Sequence, residues 1–192
     1  MRLGILVSGR GSNLEAILSR RPRGITPALV VSNRPGVRAL EVAKTYGVPV
    51  IVLRRAEFGG DAVARDAAIG RALTVAHVEL ALLAGYDQVL APSYFGAFAG
   101  RTINIHPSLL PAHGGAGMVG LAVHRAVLAA GDAETGVTIH EVTADVDGGP
   151  IVARARVAVH AEDDPGSLAA RVLAEEHRLL IATLTQIGAA DL

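Results

Sequence analysis

The chain has 192 residues, a formal net charge of +0 and 51% hydrophobic residues. That length and apolar content fit one domain with a sizeable core, and the balanced charge argues against a dedicated nucleic-acid binder. The absence of cysteine excludes disulfides, thiolate catalysis and cysteine-based zinc sites.

Leu3–Val7 is a short apolar run that enters the turn Ser8-Gly9-Arg10-Gly11-Ser12-Asn13, so a buried strand feeding a Gly-rich turn is expected. Leu14–Ser19 begins a helix, with Ser12 or Asn13 as its N-cap. Ala28–Ser32, Val48–Leu53 and Leu80–Ala84 read as further strands. Gly36–Tyr46 and Asp61–Ala76 read as the helices between them. A short helical piece over Pro92–Ala97 leads to a strand that ends in Asn104. This alternation predicts an α/β fold: a Rossmann-like three-layer sandwich with a mostly parallel sheet and helices on both faces. The second half changes character. His106–Gly120 reads as a glycine-rich loop and Leu121–Ala130 as a helix stopped by Gly131. Thr135–Val142 and Ile151–Val159 flank a turn over Asp145–Pro150 and predict an antiparallel C-terminal strand pair. Asp163–Ile187 is a long terminal helix, capped by Asp163 or Asp164 with Pro165 in its first turn. No linker or repeat divides residues 1–192, so one domain is expected. No signal-peptide pattern opens the chain. The longest apolar stretch, Val75–Leu83, is too short to span a bilayer and carries Glu79, so a cytoplasmic protein is expected.

Three motifs carry chemistry. In Asn104-Ile105-His106-Pro107-Ser108-Leu109-Leu110-Pro111, Asn104 and His106 stand two apart and share a face at the C-terminal end of a strand. Open α/β sheets keep their sites at such ends. Pro107 stops the strand because it has no N–H for the ladder. The second motif is Asp147-Gly148-Gly149-Pro150. An amide donor, an imidazole and a carboxylate together suit attack at a carbonyl carbon: two groups hold the oxyanion and the third supports the imidazolium or takes a proton. Spacing alone does not bring Asp147 to His106; the fold must. The third motif, Gly9-Arg10-Gly11-Ser12-Asn13-Leu14, lacks the third glycine of a dinucleotide fingerprint, and Ser32-Asn33-Arg34 offers no acid for a ribose. It still suits a phosphate monoester at a helix N-terminus. Each residue also has a plain structural role: a strand-end cap, a loop histidine, a turn former, a helix cap. His140 reads more readily as a partly buried strand histidine than as a site residue, and Glu175-Glu176-His177 as a solvated helix face. His106, His113 and His124 have no recognised ligand spacing, so no metal site is expected. Ser108 is not in a nucleophile elbow.

Together, Ser8–Leu14, Asn104–Pro111 and Asp147–Pro150 resemble the phosphoribosylglycinamide formyltransferase family over essentially the whole chain. The Asn-x-His-Pro-Ser-Leu-Leu-Pro block belongs to the wider formyltransferase fold, and the Ser-Gly-x-Gly-Ser-Asn opening narrows it to the ribonucleotide enzymes. The resemblance implies that Gly11, Ser12 and Asn13 in the N-terminal half hold a ribose phosphate, that Glu176 contacts the glycinamide, and that Asn104, His106 and Asp147 are catalytic. It implies 10-formyltetrahydrofolate as formyl donor, held by Tyr86, Gln88, Val89 and Leu90 together with Asn104 and Asp147 of the C-terminal half. Asp147 would keep His106 charged and orient a water for proton transfer. The partners implied are glycinamide ribonucleotide and the folate, with no nucleic acid and no membrane; a homodimer is left open. A tRNA-directed relative would carry a further C-terminal domain, and a formyltetrahydrofolate hydrolase a further N-terminal one. Where the family often has Gly-Phe-Met-Arg-Ile-Leu, this chain has Gly85-Tyr86-Asp87-Gln88-Val89-Leu90, so Gln88 replaces an arginine suited to the folate's glutamate tail. Ala112–Gly120 resembles a Gly-x-Gly-Met-x-Gly variant found in part of the family and is expected to move over the site as a lid.

Overall fold

The computed structural model describes residues 1–190; Asp191 and Leu192, the end of the expected 1–192 domain, lie outside the described residues. Seven strands form one sheet: β1 (Arg2–Val7), β2 (Thr26–Ser32), β3 (Val50–Val52), β4 (Leu80–Leu83), β5 (Arg101–His106), β6 (Glu134–Glu141) and β7 (Ile151–Ala158). Their order is β3-β2-β1-β4-β5-β6-β7. The first five pair in parallel. β6 runs against both neighbours, so β7 points the same way as β5. The chain moves outward from β1 through β2 to β3, then returns to β1's other side with β4. That reversal opens a crevice beyond the C-terminal ends of β1 and β4.

Continuous apolar runs form the central strands because both faces are covered. On one face Leu3, Ile5, Val7, Leu80, Leu82, Ile103 and Ile105 pack under α1 (Ser12–Arg20), α2 (Arg38–Thr45), α5 (Leu121–Ala130) and α6 (Pro165–Ala190). On the other, Leu6, Val31, Ala81 and Leu83 pack under α3 (Ala62–Val75) and α4 (Pro92–Ala97), chiefly through Ile69, Leu73 and Tyr94. Among the described residues no helix is long and apolar enough to cross a membrane.

Three local expectations need correction. α1 is not capped by Ser12 or Asn13. Its N-cap is Gly11, left-handed at φ 75°, with no side-chain cap bond, and Asn13 instead turns inward. β5 continues past Asn104 to His106, because His106 still pairs with Thr138. A 3-10 turn over Arg55–Phe58, closed by Gly59 at φ 63°, lies between β3 and α3, where the sequence reading placed nothing. The terminal helix is capped as expected. Asp164 Oδ1 accepts the N–H groups of Gly166 (2.7 Å) and Ser167 (2.8 Å), while Asp163 pairs with Arg171.

Candidate active site

The loops that follow β1, β4 and β5 meet at one cavity of about 900 Å³. Ser8 joins the first two: its N–H donates to Gly85 O (3.2 Å) and its Oγ accepts from Asp87 N (3.0 Å). Every residue expected in the site lines this cavity: Gly11, Ser12, Asn13, Tyr86, Gln88, Val89, Leu90, Asn104, His106, Asp147 and Glu176.

Strand period places Asn104 and His106 on one face of β5. The β6–β7 connection carries Asp147, at φ 54°, back over them. His106 is buried, with Nε2 2.9 Å from the carbonyl of His113 and Nδ1 3.8 Å from Asp147 Oδ2. A carbonyl only accepts, so Nε2 carries the proton and Nδ1 is the atom left to titrate. Burial holds the His106 imidazole below its ordinary value, outweighing the opposite pull of the His113 carbonyl and the Asp147 charge. Asp147 pulls the imidazole toward its charged form, as expected, but less strongly than burial pulls the other way. The carboxylate stands too far for a direct hydrogen bond, and desolvation of the ring wins. Burial pushes Asp147 up, but the His140 contact, the Gly115 N–H (2.8 Å) and the nearby imidazoles outweigh it and hold the carboxyl below the usual range.

His140 belongs to this site, contrary to the plainer reading of it as a strand histidine. Asn104 and His140 are register partners across β5 and β6. His140 Nδ1 lies 2.9 Å from Glu141 O, so Nδ1 carries a proton, and Nε2 lies 3.0 Å from Asn104 Nδ2, accepting its N–H when the ring is neutral and facing Asp147 with a proton of its own when it is charged. That contact orients the amide and leaves its second N–H for a ligand. His140 Nε2 also lies 3.4 Å from Asp147 Oδ1, closer than His106 comes to that carboxylate. The available clue in the sequence was the alternation Thr138, His140 on a strand leading directly to Asp147. Thr138 works beside it: Oγ1 accepts Leu110 N (3.1 Å) and donates to Ser108 O (2.7 Å), tying down the chain after His106.

At the first loop, a Cβ on Gly11 would lie 2.7 Å from Ala39 Cβ and 2.8 Å from Ala39 Cα, so only glycine lets the turn lie against α2. Asn13 Nδ2 reaches Glu176 Oε2 at 3.5 Å, while Asn13 Oδ1 is buried without a partner. Glu176 is 8% exposed and burial pushes its carboxyl up to about 7, against the smaller effect of Asn13. It faces the cavity, whereas its neighbour Glu175 pairs outside with Arg178.

The loop after β4 is held from beneath by a pair the sequence reading passed over. Arg65 and Asp66 of α3 are 2% and 0% exposed and pair at 2.7 Å. Asp66 Oδ2 accepts Ala91 N (2.8 Å), and Arg65 Nη1 donates to Gln88 Oε1 (3.3 Å). Arg34 pairs with Asp87 at the rim, and Asn33 Nδ2 adds a bond to Asp87 Oδ1 at 2.8 Å. Tyr86 keeps a buried hydroxyl with no partner among the described residues. Among the described residues, no group of three or more histidine, cysteine or acidic side chains is arranged to hold a metal ion.

The formyl transferase family model matches residues 1–184 of this chain, and the chain belongs to that family. Within it, the chain is 37% identical over 181 residues to the phosphoribosylglycinamide formyltransferase of Haemophilus influenzae, covering 93% of this chain and 82% of that protein. It is 39% identical over 181 residues to the trifunctional purine biosynthetic protein adenosine-3 of Drosophila melanogaster, covering 92% of this chain but only 13% of that protein. The crystal structure of glycinamide ribonucleotide transformylase 1 from Symbiobacterium toebii superposes with a TM-score of 0.90 at 38% identity, over 99% of this chain and 88% of that one.

Proposed function

We propose that the chain is a phosphoribosylglycinamide formyltransferase. It moves the formyl group of 10-formyltetrahydrofolate to the amine of glycinamide ribonucleotide, in the cytoplasm, as a step of purine synthesis. The observation that carries this reading is the meeting of Asn104, His106 and Asp147 in one cavity that also takes in the Gly11–Asn13 loop and the Tyr86–Leu90 loop. The ribonucleotide phosphate sits at Gly11, Ser12 and Asn13, where the start of α1 presents free N–H groups. Asn13 lines this end of the cavity, and Glu176 faces the glycinamide. The folate lies along Tyr86, Gln88, Val89 and Leu90.

The amine nitrogen attacks the formyl carbon, and the carbonyl oxygen gains the charge. Asn104 supplies its free N–H to that oxygen. His106, neutral before reaction, takes the amine proton at Nδ1. The imidazolium so formed faces both the oxyanion and Asp147, which stabilises it most at this stage. The carbon–nitrogen bond to the folate then breaks and the proton passes to the departing nitrogen, directly or through a water beside Asp147. No metal enters this scheme.

The test is steady-state release of tetrahydrofolate from the formyl donor with and without glycinamide ribonucleotide. Release that requires the ribonucleotide and is lost in His106→Ala supports the reading. Release independent of the ribonucleotide would make the chain a hydrolase, and no release would remove the assignment.

A further inference from the structure

We propose that His113 and Asp132 form a latch that fixes His106 as its Nε2–H tautomer, making both positioning residues for the transfer; this rests on the function proposed above. His106 Nε2 meets the His113 backbone carbonyl at 2.9 Å. That carbonyl is presented by a residue at φ 53°, a conformation uncommon for side-chain-bearing residues, so something must hold it there. The holding contact is His113 Nε2 to Asp132 Oδ2, at 2.6 Å. Asp132 is a firm anchor because it directly follows Gly131, the left-handed cap of α5, and donates its N–H to Val127 O at 3.4 Å.

The segment between is threaded through the catalytic groups. Ser108 Oγ donates to Ala112 O (2.6 Å), His113 O meets His106, and Gly115 N donates to Asp147 Oδ2 (2.8 Å). Within a few residues the backbone thus offers an acceptor to the imidazole and a donor to the carboxylate. The charged and titratable groups that bear on His106 are Asp147, His140, His113 and His124; Asp132 acts on it only through His113. With the latch closed, Nδ1 of the neutral ring is free to accept a proton. With it open, Nε2–H loses its acceptor and Asp147 draws the proton to Nδ1, the tautomer that is useless as a base.

The experiment uses the full chain labelled with 15N-histidine, in which ring nitrogen shifts read the His106 tautomer without substrate; His106→Ala assigns the signal. The expected result is Nε2–H in the unmodified protein, and a shift toward Nδ1–H in His113→Ala and Asp132→Ala. In turnover, kcat should fall about 10- to 100-fold, as for a misplaced catalytic group, while the ribonucleotide KM stays within about 2-fold. His113→Gln, whose amide nitrogen lies about as far along the side chain as the histidine Nε2, keeps an N–H for Asp132 and should recover part of the rate. Asp132→Ala, which removes the acceptor and leaves His113 in place, guards against a folding defect at His113. Both variants keeping the Nε2–H tautomer would overturn the latch, and so would a rate loss that follows thermal stability alone. If the tautomer responds but the unmodified protein turns over no ribonucleotide, the latch stands and the proposed function falls.

Discussion

Glu176→Gln should make the protein more stable than its parent at alkaline pH and not at acid pH. Glu176 is buried and its carboxyl is raised from 4.5 to about 7 by desolvation, against the smaller effect of its hydrogen bond with Asn13. A folded-state value above the unfolded one means that the native protein binds this proton more tightly. The associated stability is therefore fully present below about pH 4.5 and is lost as pH rises through about 7. The shift corresponds to about 3 kcal/mol, since each pKa unit is worth about 1.4 kcal/mol. Glutamine has the shape of the protonated acid and never ionises. Its amide can accept from Asn13 Nδ2 as the acid does or, after a flip of the Asn13 amide, donate to Asn13 Oδ1 instead. The stability difference, variant minus parent, should grow by about 2–3 kcal/mol between about pH 5 and pH 8.5, or roughly 5–10 °C in Tm. Urea unfolding of both proteins at the two pH values measures it, and groups common to both cancel. A difference that does not change with pH, or one that favours the parent at pH 8.5, would refute the burial argument.

Asp66→Ala should cost about 3–5 kcal/mol in chemical denaturation, because Arg65 would keep its buried charge without a partner; a loss below about 1 kcal/mol would mean water reaches the guanidinium. Gly11→Ala forces a left-handed alanine against Ala39, so a loss of about 1–3 kcal/mol and a raised ribonucleotide KM are expected, read by denaturation and initial rates. Asp147→Asn should depress kcat strongly while leaving ribonucleotide affinity, measured by calorimetry, nearly intact. Equal loss of both would contradict the separation of phosphate binding from chemistry.

Much of this fold was legible because its strands are both buried and short. Leu3–Val7 and Leu80–Leu83 are unbroken apolar runs, and each is followed by a turn that breaks the pattern. The shared face of Asn104 and His106 followed from strand period alone. What escaped notice depends on partners distant in sequence. Nothing local marks His140 as the residue that orients Asn104; the β5–β6 register does. Arg65 and Asp66 look like ordinary helix charges until α3 packs beneath the loop after β4. The α1 cap was misplaced because a left-handed glycine ends the turn without a side chain, freeing Asn13 to face Glu176. Backbone atoms were invisible in principle: His113 O and Gly115 N act through conformation, whatever side chain they carry.

The central claim is transfer of a formyl group to an amine, and following the carbon tests it directly. With the formyl donor labelled with 13C, NMR of the reaction mixture should show the label leave the folate and appear on the glycinamide nitrogen, with no such signal in His106→Ala. Label released as formate, or left on the folate in the presence of the ribonucleotide, would contradict the account.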